Sequence, residues 1–170
     1  MSVGGAASSR FYVGMAATFF VIAVVGFSPT FWIPMFKGTL HVSPITYVHA
    51  LFFYSWTLLF LAQTFLAASG KLRLHRELGV LGVAVATGMC FAGMGVAINS
   101  LKRFEAAGMG AAERPISILS VAGILLFSTL FWAAILNVKR PELHKRLMMV
   151  ATSLLLAGGA RKISWLRTCR

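Results

Sequence analysis

Four stretches of this chain each run for more than twenty residues without a single Asp, Glu, Lys or Arg: Phe11 to Ile33, Ile45 to Ser69, Leu78 to Ile98 and Ile116 to Val138. Each reaches the ~20 apolar residues that a helix needs to cross the hydrocarbon core of a bilayer. In lipid every peptide donor and acceptor must be satisfied within the protein, and these runs are too long for barrel strands. The expected fold is therefore all-α, a polytopic transmembrane helical bundle, and residues 1–170 form one transmembrane domain. Composition agrees: the chain is 58% hydrophobic and 12% charged, too little charge to cover a soluble surface. The run after Arg10 is too long for a signal-peptide core and reads as an uncleaved first span.

The formal net charge of +12 does not point to nucleic acid. Its cations stand in short clusters between the runs, where they orient a membrane protein and meet lipid phosphates. Arg10, Lys71, Arg73, Arg76, Lys139, Arg140, Lys145 and Arg146 fall on one side, against Lys37, Lys102, Arg103 and Arg114 on the other. The positive-inside rule places the richer side, with the N-terminus, in the cytoplasm. The expected location is a bacterial inner membrane, with anionic head groups as the partner of that face. A homo-oligomer or a membrane partner stays open.

Beyond the fourth run, Leu147 to Ala160 holds fourteen uncharged residues, about 21 Å of helix. Arg161 follows. Either a short fifth helix crosses over about 147–166, with Arg161 snorkelling and Trp165 at the interface, or the segment stops partway. The 99–115 stretch is Gly/Ala-rich with mixed charge and reads as a mobile connection. Pro29 is expected to kink the first helix near its end.

A short signature recurs. Leu74-His75-Arg76-Glu77-Leu78 is matched 69 residues later by Leu143-His144-Lys145-Arg146-Leu147. Each copy opens an apolar run, so two like-oriented hairpins, a parallel two-helix repeat, would carry His75 and His144 at equal depth on one face. A neutral imidazole with a free lone pair is what haem iron takes. Both are candidate haem ligands, with haem b the cofactor and Arg76 and Lys145 candidate propionate partners. The competing reading makes them part of an interfacial basic cluster. In the second run His49, Phe53, Trp56, Phe60 and Gln63 follow at helical spacing, which turns His49 and Gln63 toward one neighbour. Polar groups inside a span default to a functional hypothesis, or to interhelical contacts. In the third run the small residues Gly79, Gly82, Ala86, Gly88, Ala92, Gly93 and Gly95 permit close helix approach.

These motifs resemble an uncharacterised family of bacterial multi-pass membrane proteins of unknown function. Its members carry a Gln in a span, a His-Arg-x-x-Gly motif opening the next and a later His-basic-x-x-Met motif. Here these are Gln63, His75-Arg76-Glu77-Leu78-Gly79 and His144-Lys145-Arg146-Leu147-Met148. The likeness covers roughly residues 45 to 161 and implies location and architecture. A more distant likeness is to four-helix cytochromes of the b561 kind, which hold haem between histidines on neighbouring helices. The spacing here departs from that pattern, with two histidines paired at one face but only His49, with loop residue His41, at the other, which argues against a two-haem arrangement; the resemblance implies location and architecture.

Three functions follow. The favoured one is a small haem-binding or redox-linked membrane protein using His75 and His144. The others are a transporter-like binding protein with His49, Gln63 and Arg161 along a polar path, and a non-catalytic scaffold or assembly factor. Hydrolytic chemistry is disfavoured, because the only acids are Glu77, Glu105, Glu113 and Glu142, all outside the apolar runs. Single cysteines at positions 73 and 139, in a background without Cys90 and Cys169, should react with an impermeant thiol reagent from one side of the membrane. Cysteines at 37 and 105 should react from the other, and labelling of all four from one side would refute the topology.

Overall fold

The computed structural model describes the backbone of residues 3–168 and the side chains of residues 9–111 and 114–156. The apolar runs become helices because an α-helix pairs its backbone groups within itself. Helix α1 covers Val3–Phe27 and passes through one π-helical turn, Ser28–Trp32, into the single turn α2, Ile33–Phe36. Then follow α3 (Pro44–Ala68), α4 (Leu72–Ala106), α5 (Gly110–Leu136) and α6 (Pro141–Thr168). Four helical segments, Ser9–Phe36, Pro44–Ala68, Leu72–Ala106 and Arg114–Leu136, are long and apolar enough to cross a membrane. The chain is a multi-pass helical membrane protein.

Proline chemistry explains the break at the end of α1. Pro29 has no N–H to donate and its ring crowds the preceding turn, and the helix widens there to π geometry. The Ser28 hydroxyl donates to the Val24 carbonyl at 2.8 Å. The expected kink is thus a π turn, walled by Phe31, Trp32 and Tyr54, with Trp32 and Tyr54 ring centroids 4.9 Å apart.

The 99–115 stretch departs from expectation. It is not a long mobile connection: α4 runs on to Ala106, α5 begins at Gly110, and only three residues lie between. Alanine-rich sequence is good helix former, and Gly108, at φ +74°, makes the one left-handed turn that reverses the chain. Met109 N–H closes the end of α4 by donating to the Phe104 carbonyl at 2.8 Å, and Arg114 reaches back to Glu105 at 3.6 Å. Gly70 ends α3 the same way, with Lys71 N–H donating to Leu66 at 2.9 Å. The same tight turn brings α4 forward to Leu72, so His75 stands in its first turn. Helix α6 likewise starts at Pro141, before the expected Leu147.

The helices form a closed ring in which each packs on two others: α1 on α3, α3 on α4, α4 on α5, α5 on α6 and α6 on α1. Residue pairs across the seams fix antiparallel registers for the first four. Phe19 stacks on Phe60, and Phe27 meets Phe53. Cys90 Sγ lies 3.3 Å from Ser128 Oγ. Aromatic residues fill the ring: Trp56 sets its indole edge-on to Phe127 and Phe131, each centroid 5.6 Å away, and is 2% exposed. Lys145 Nζ lies 4.7 Å from the centre of the Tyr12 ring and joins α6 to α1.

Small residues set the α3–α4 distance. A Cβ on Gly88 would stand 2.5 Å from Phe52 Cε1, and one on Gly95 2.9 Å from Ile45 Cγ1. Gly88→Ala should therefore cost about 1–3 kcal/mol of overpacking, against the ~0.5–1 kcal/mol that alanine gains within a helix. Gly14 has nothing within 4 Å of the same position, so Gly14→Ala should be neutral or stabilising. Thermal unfolding in detergent should lower the midpoint for the first variant and not for the second.

Candidate functional site

His75 and His144 occupy matching places. Each stands in the opening turns of its helix and reaches back across the tight turn to the end of the helix before. His75 Nδ1 lies 3.2 Å from the Gln63 carbonyl of α3, and His144 Nδ1 lies 2.8 Å from the Ala134 carbonyl of α5. A carbonyl oxygen only accepts, so in both rings Nδ1 carries the proton and donates. In the neutral ring that leaves Nε2 with its lone pair free, the tautomer that metal-ligating histidines take when a carbonyl holds the other nitrogen. Both side chains are half-buried. Helices α4 and α6 flank α5 in the ring, and their first turns face the same end of it.

The surrounding cations differ in their freedom. Arg76 is exposed and makes no hydrogen bond or ion pair with the described residues. Lys145 is held by Glu142 at 2.7 Å and by the Tyr12 ring. Arg73 pairs with Glu77 at 2.9 Å across one turn. Two of the chain's four acids are thereby neutralised at this end, and the surface stays cationic.

His49 and Gln63 face the bundle interior, as their stripe requires. The His49 ring lies against the Met89 carbonyl and Gly93 of α4. The Gln63 amide stands over Gly79, one turn beyond His75, with Nε2 3.9 Å from where a Cβ would sit. The expectation that the Gln63 side chain bonds a neighbouring helix is not met: its Oε1 is buried without a partner among the described residues, as is His49 Nδ1. It is the Gln63 backbone carbonyl that makes the interhelical bond. Thr152 on α6, fully buried, also leaves its hydroxyl unpaired. The Arg161 side chain lies outside the described residues.

Sequence reasoning missed the two carbonyl acceptors, since a backbone oxygen leaves no signal in a side-chain pattern. It also missed Tyr12 and Glu142 as partners of Lys145, although Glu142 at three residues' spacing on one helix face was readable. No protein-family model matches the chain, and no curated protein or solved structure shows significant similarity to it.

The donor set can be tested against haem on its own chemistry. Two imidazoles with Nδ1 tied and Nε2 open are what an axial pair needs, and the cationic rim suits carboxylates. In donor chemistry the residues suit the group, whereas the ring order sets the two histidines on helices that stand on either side of α5. Labelled-histidine ¹⁵N spectra at mildly alkaline pH should show both rings as the Nδ1–H tautomer, with Nε2 unprotonated. An Nε2–H signal from either would contradict the geometry.

Proposed function

We propose that this is a small redox-linked membrane protein that holds one b-type haem between His75 and His144. The observation that supports the reading is the matched pair of ties, His75 to the Gln63 carbonyl and His144 to the Ala134 carbonyl, which leaves the Nε2 lone pair of each neutral ring free. A bare zinc or copper ion takes three or four protein ligands, and the described residues contain no group of three His, Cys, Asp or Glu fit to hold one. A porphyrin brings its own four nitrogens and asks the chain for axial donors alone. Bound there, haem supplies one-electron chemistry.

The chain's own residues bind and orient. The carbonyls of α3 and α5 fix each imidazole's tautomer and plane, Arg76 offers an uncommitted cation to a propionate, and Lys145 adds a second, shared with Glu142. The positive-inside distribution favours the cytoplasmic face of a bacterial inner membrane for this end, with the N-terminus on the same side. There Lys71, Arg140 and Arg146 add to the attraction for anionic head groups.

A transporter-like role is the alternative, favoured by the unpartnered His49 Nδ1 and Gln63 Oε1 within the spans. Absorption spectra decide between the two. Full-length protein purified with haem supplied should show a Soret band and a sharp α-band on reduction. His75→Ala and His144→Ala should each abolish the six-coordinate spectrum while the protein still inserts in the membrane. Absence of any chromophore from the unaltered chain would refute the haem reading.

A further inference from the structure

At the end of the bundle opposite the histidine pair, two clefts meet at one arginine. The first, about 350 Å³, is lined by His41, Val42 and Ser43 from the segment entering α3, and by Asn99 and Arg103 from the last turns of α4. The second, about 220 Å³, is lined by Ser100, Arg103, Phe104, Ala107 and Met109. Their characters differ. Every polar side chain of the first can donate a hydrogen bond, and among the described residues no acid lines it. The second is walled mainly by apolar groups, with Phe104 37% and Met109 53% exposed.

The charges around Arg103 are already allotted. Glu105, the nearest acid along the helix, is taken by Arg114 at 3.6 Å. The side chains of Arg103, Asn99 and His41 make no hydrogen bond or ion pair with the described residues, and Ser43 Oγ shares a 3.2 Å contact with Thr46 Oγ1. A guanidinium left open between a donor-lined hollow and an apolar one suits a planar or tetrahedral oxyanion carried on an apolar body. The spans place this junction where apolar helix gives way to charged helix, at the level of lipid phosphates.

We propose that Arg103, with Asn99 and His41, binds the phosphate or carboxylate of an anionic amphiphile whose apolar part lies over Phe104 and Met109. Membrane lipid and a free oxyanion share this chemistry, and the test separates them. Full-length protein in micelles is titrated with phosphatidylglycerol, with phosphatidylcholine and, separately, with inorganic phosphate. Native mass spectrometry reads the lipids and ³¹P line broadening reads the phosphate. Arg103→Gln should weaken retention of phosphatidylglycerol by ~tenfold, the loss of one charge-assisted hydrogen bond. Lys102→Gln, a neighbouring cation outside both clefts, should change it less than twofold.

Preference for phosphatidylglycerol over phosphatidylcholine that vanishes in Arg103→Gln supports a lipid occupant. Binding of inorganic phosphate without added lipid, weakened by the same variant, supports a free oxyanion. Equal losses from Arg103→Gln and Lys102→Gln would show only general surface charge and overturn the site. So would unchanged binding in Arg103→Gln with its helical circular dichroism intact, or no binding of any probe to the unaltered chain.

Discussion

Hydrocarbon offers a peptide group no hydrogen-bond partner, and that single fact organises this molecule. It forces the apolar runs into helices and keeps irregular, unpaired backbone out of the hydrocarbon. Gly70 and Gly108 meet that requirement with left-handed turns that return the last amides of each helix to its own carbonyls. Where a helix is interrupted, at Pro29, the break stays within one π turn, and Ser28 donates to a backbone carbonyl beside it. With backbone groups accounted for, association falls to side-chain packing, because lipid tails are as apolar as the side chains they would replace. Hence the glycine-lined seam of α3 against α4, and the aromatic filling between α3 and α5.

The same accounting positions the histidine pair. A carbonyl oxygen keeps a second lone pair beyond its helical bond, and each hairpin carries a histidine a short way into its second helix. Gln63 sits a turn from the end of α3 and Ala134 near the end of α5, so the two imidazoles inherit nearly the same anchor. What was repeated in the sequence as a motif is repeated in space as a hydrogen bond. The second copies then diverge: Gly79 leaves room beside Gln63 in one hairpin, whereas Met148 fills the matching turn in the other.

Much of this was legible beforehand, for identifiable reasons. Charge-free runs announce spans because charges in hydrocarbon are costly, and the His49–Gln63 stripe announces an inward face because helical period leaves no other. The length of α4 was not legible. Asn99 to Pro115 mixes glycine, alanine and charge, and once a helix leaves the bilayer hydropathy no longer marks it, so a continuing helix and a loop look alike. Nor could pattern tell that Lys145 would be claimed by Tyr12, since that contact joins residues from opposite ends of the chain. The missing partner for Gln63 Oε1 lies deeper still, in packing detail that no periodicity encodes.

The ring itself carries a consequence of parity. Helices threaded back and forth alternate in direction, and five of them cannot alternate around a closed circle. One adjoining pair must point the same way, and it is α1 with α6. Their peptide dipoles lie side by side in the same sense, which is mildly repulsive, whereas the other four seams set them opposed. No tight turn tethers this pair, so its closure entropy is the largest in the molecule. The Lys145–Tyr12 contact sits at that joint. The ring of helices thus closes on its one parallel seam, joined through side chains alone.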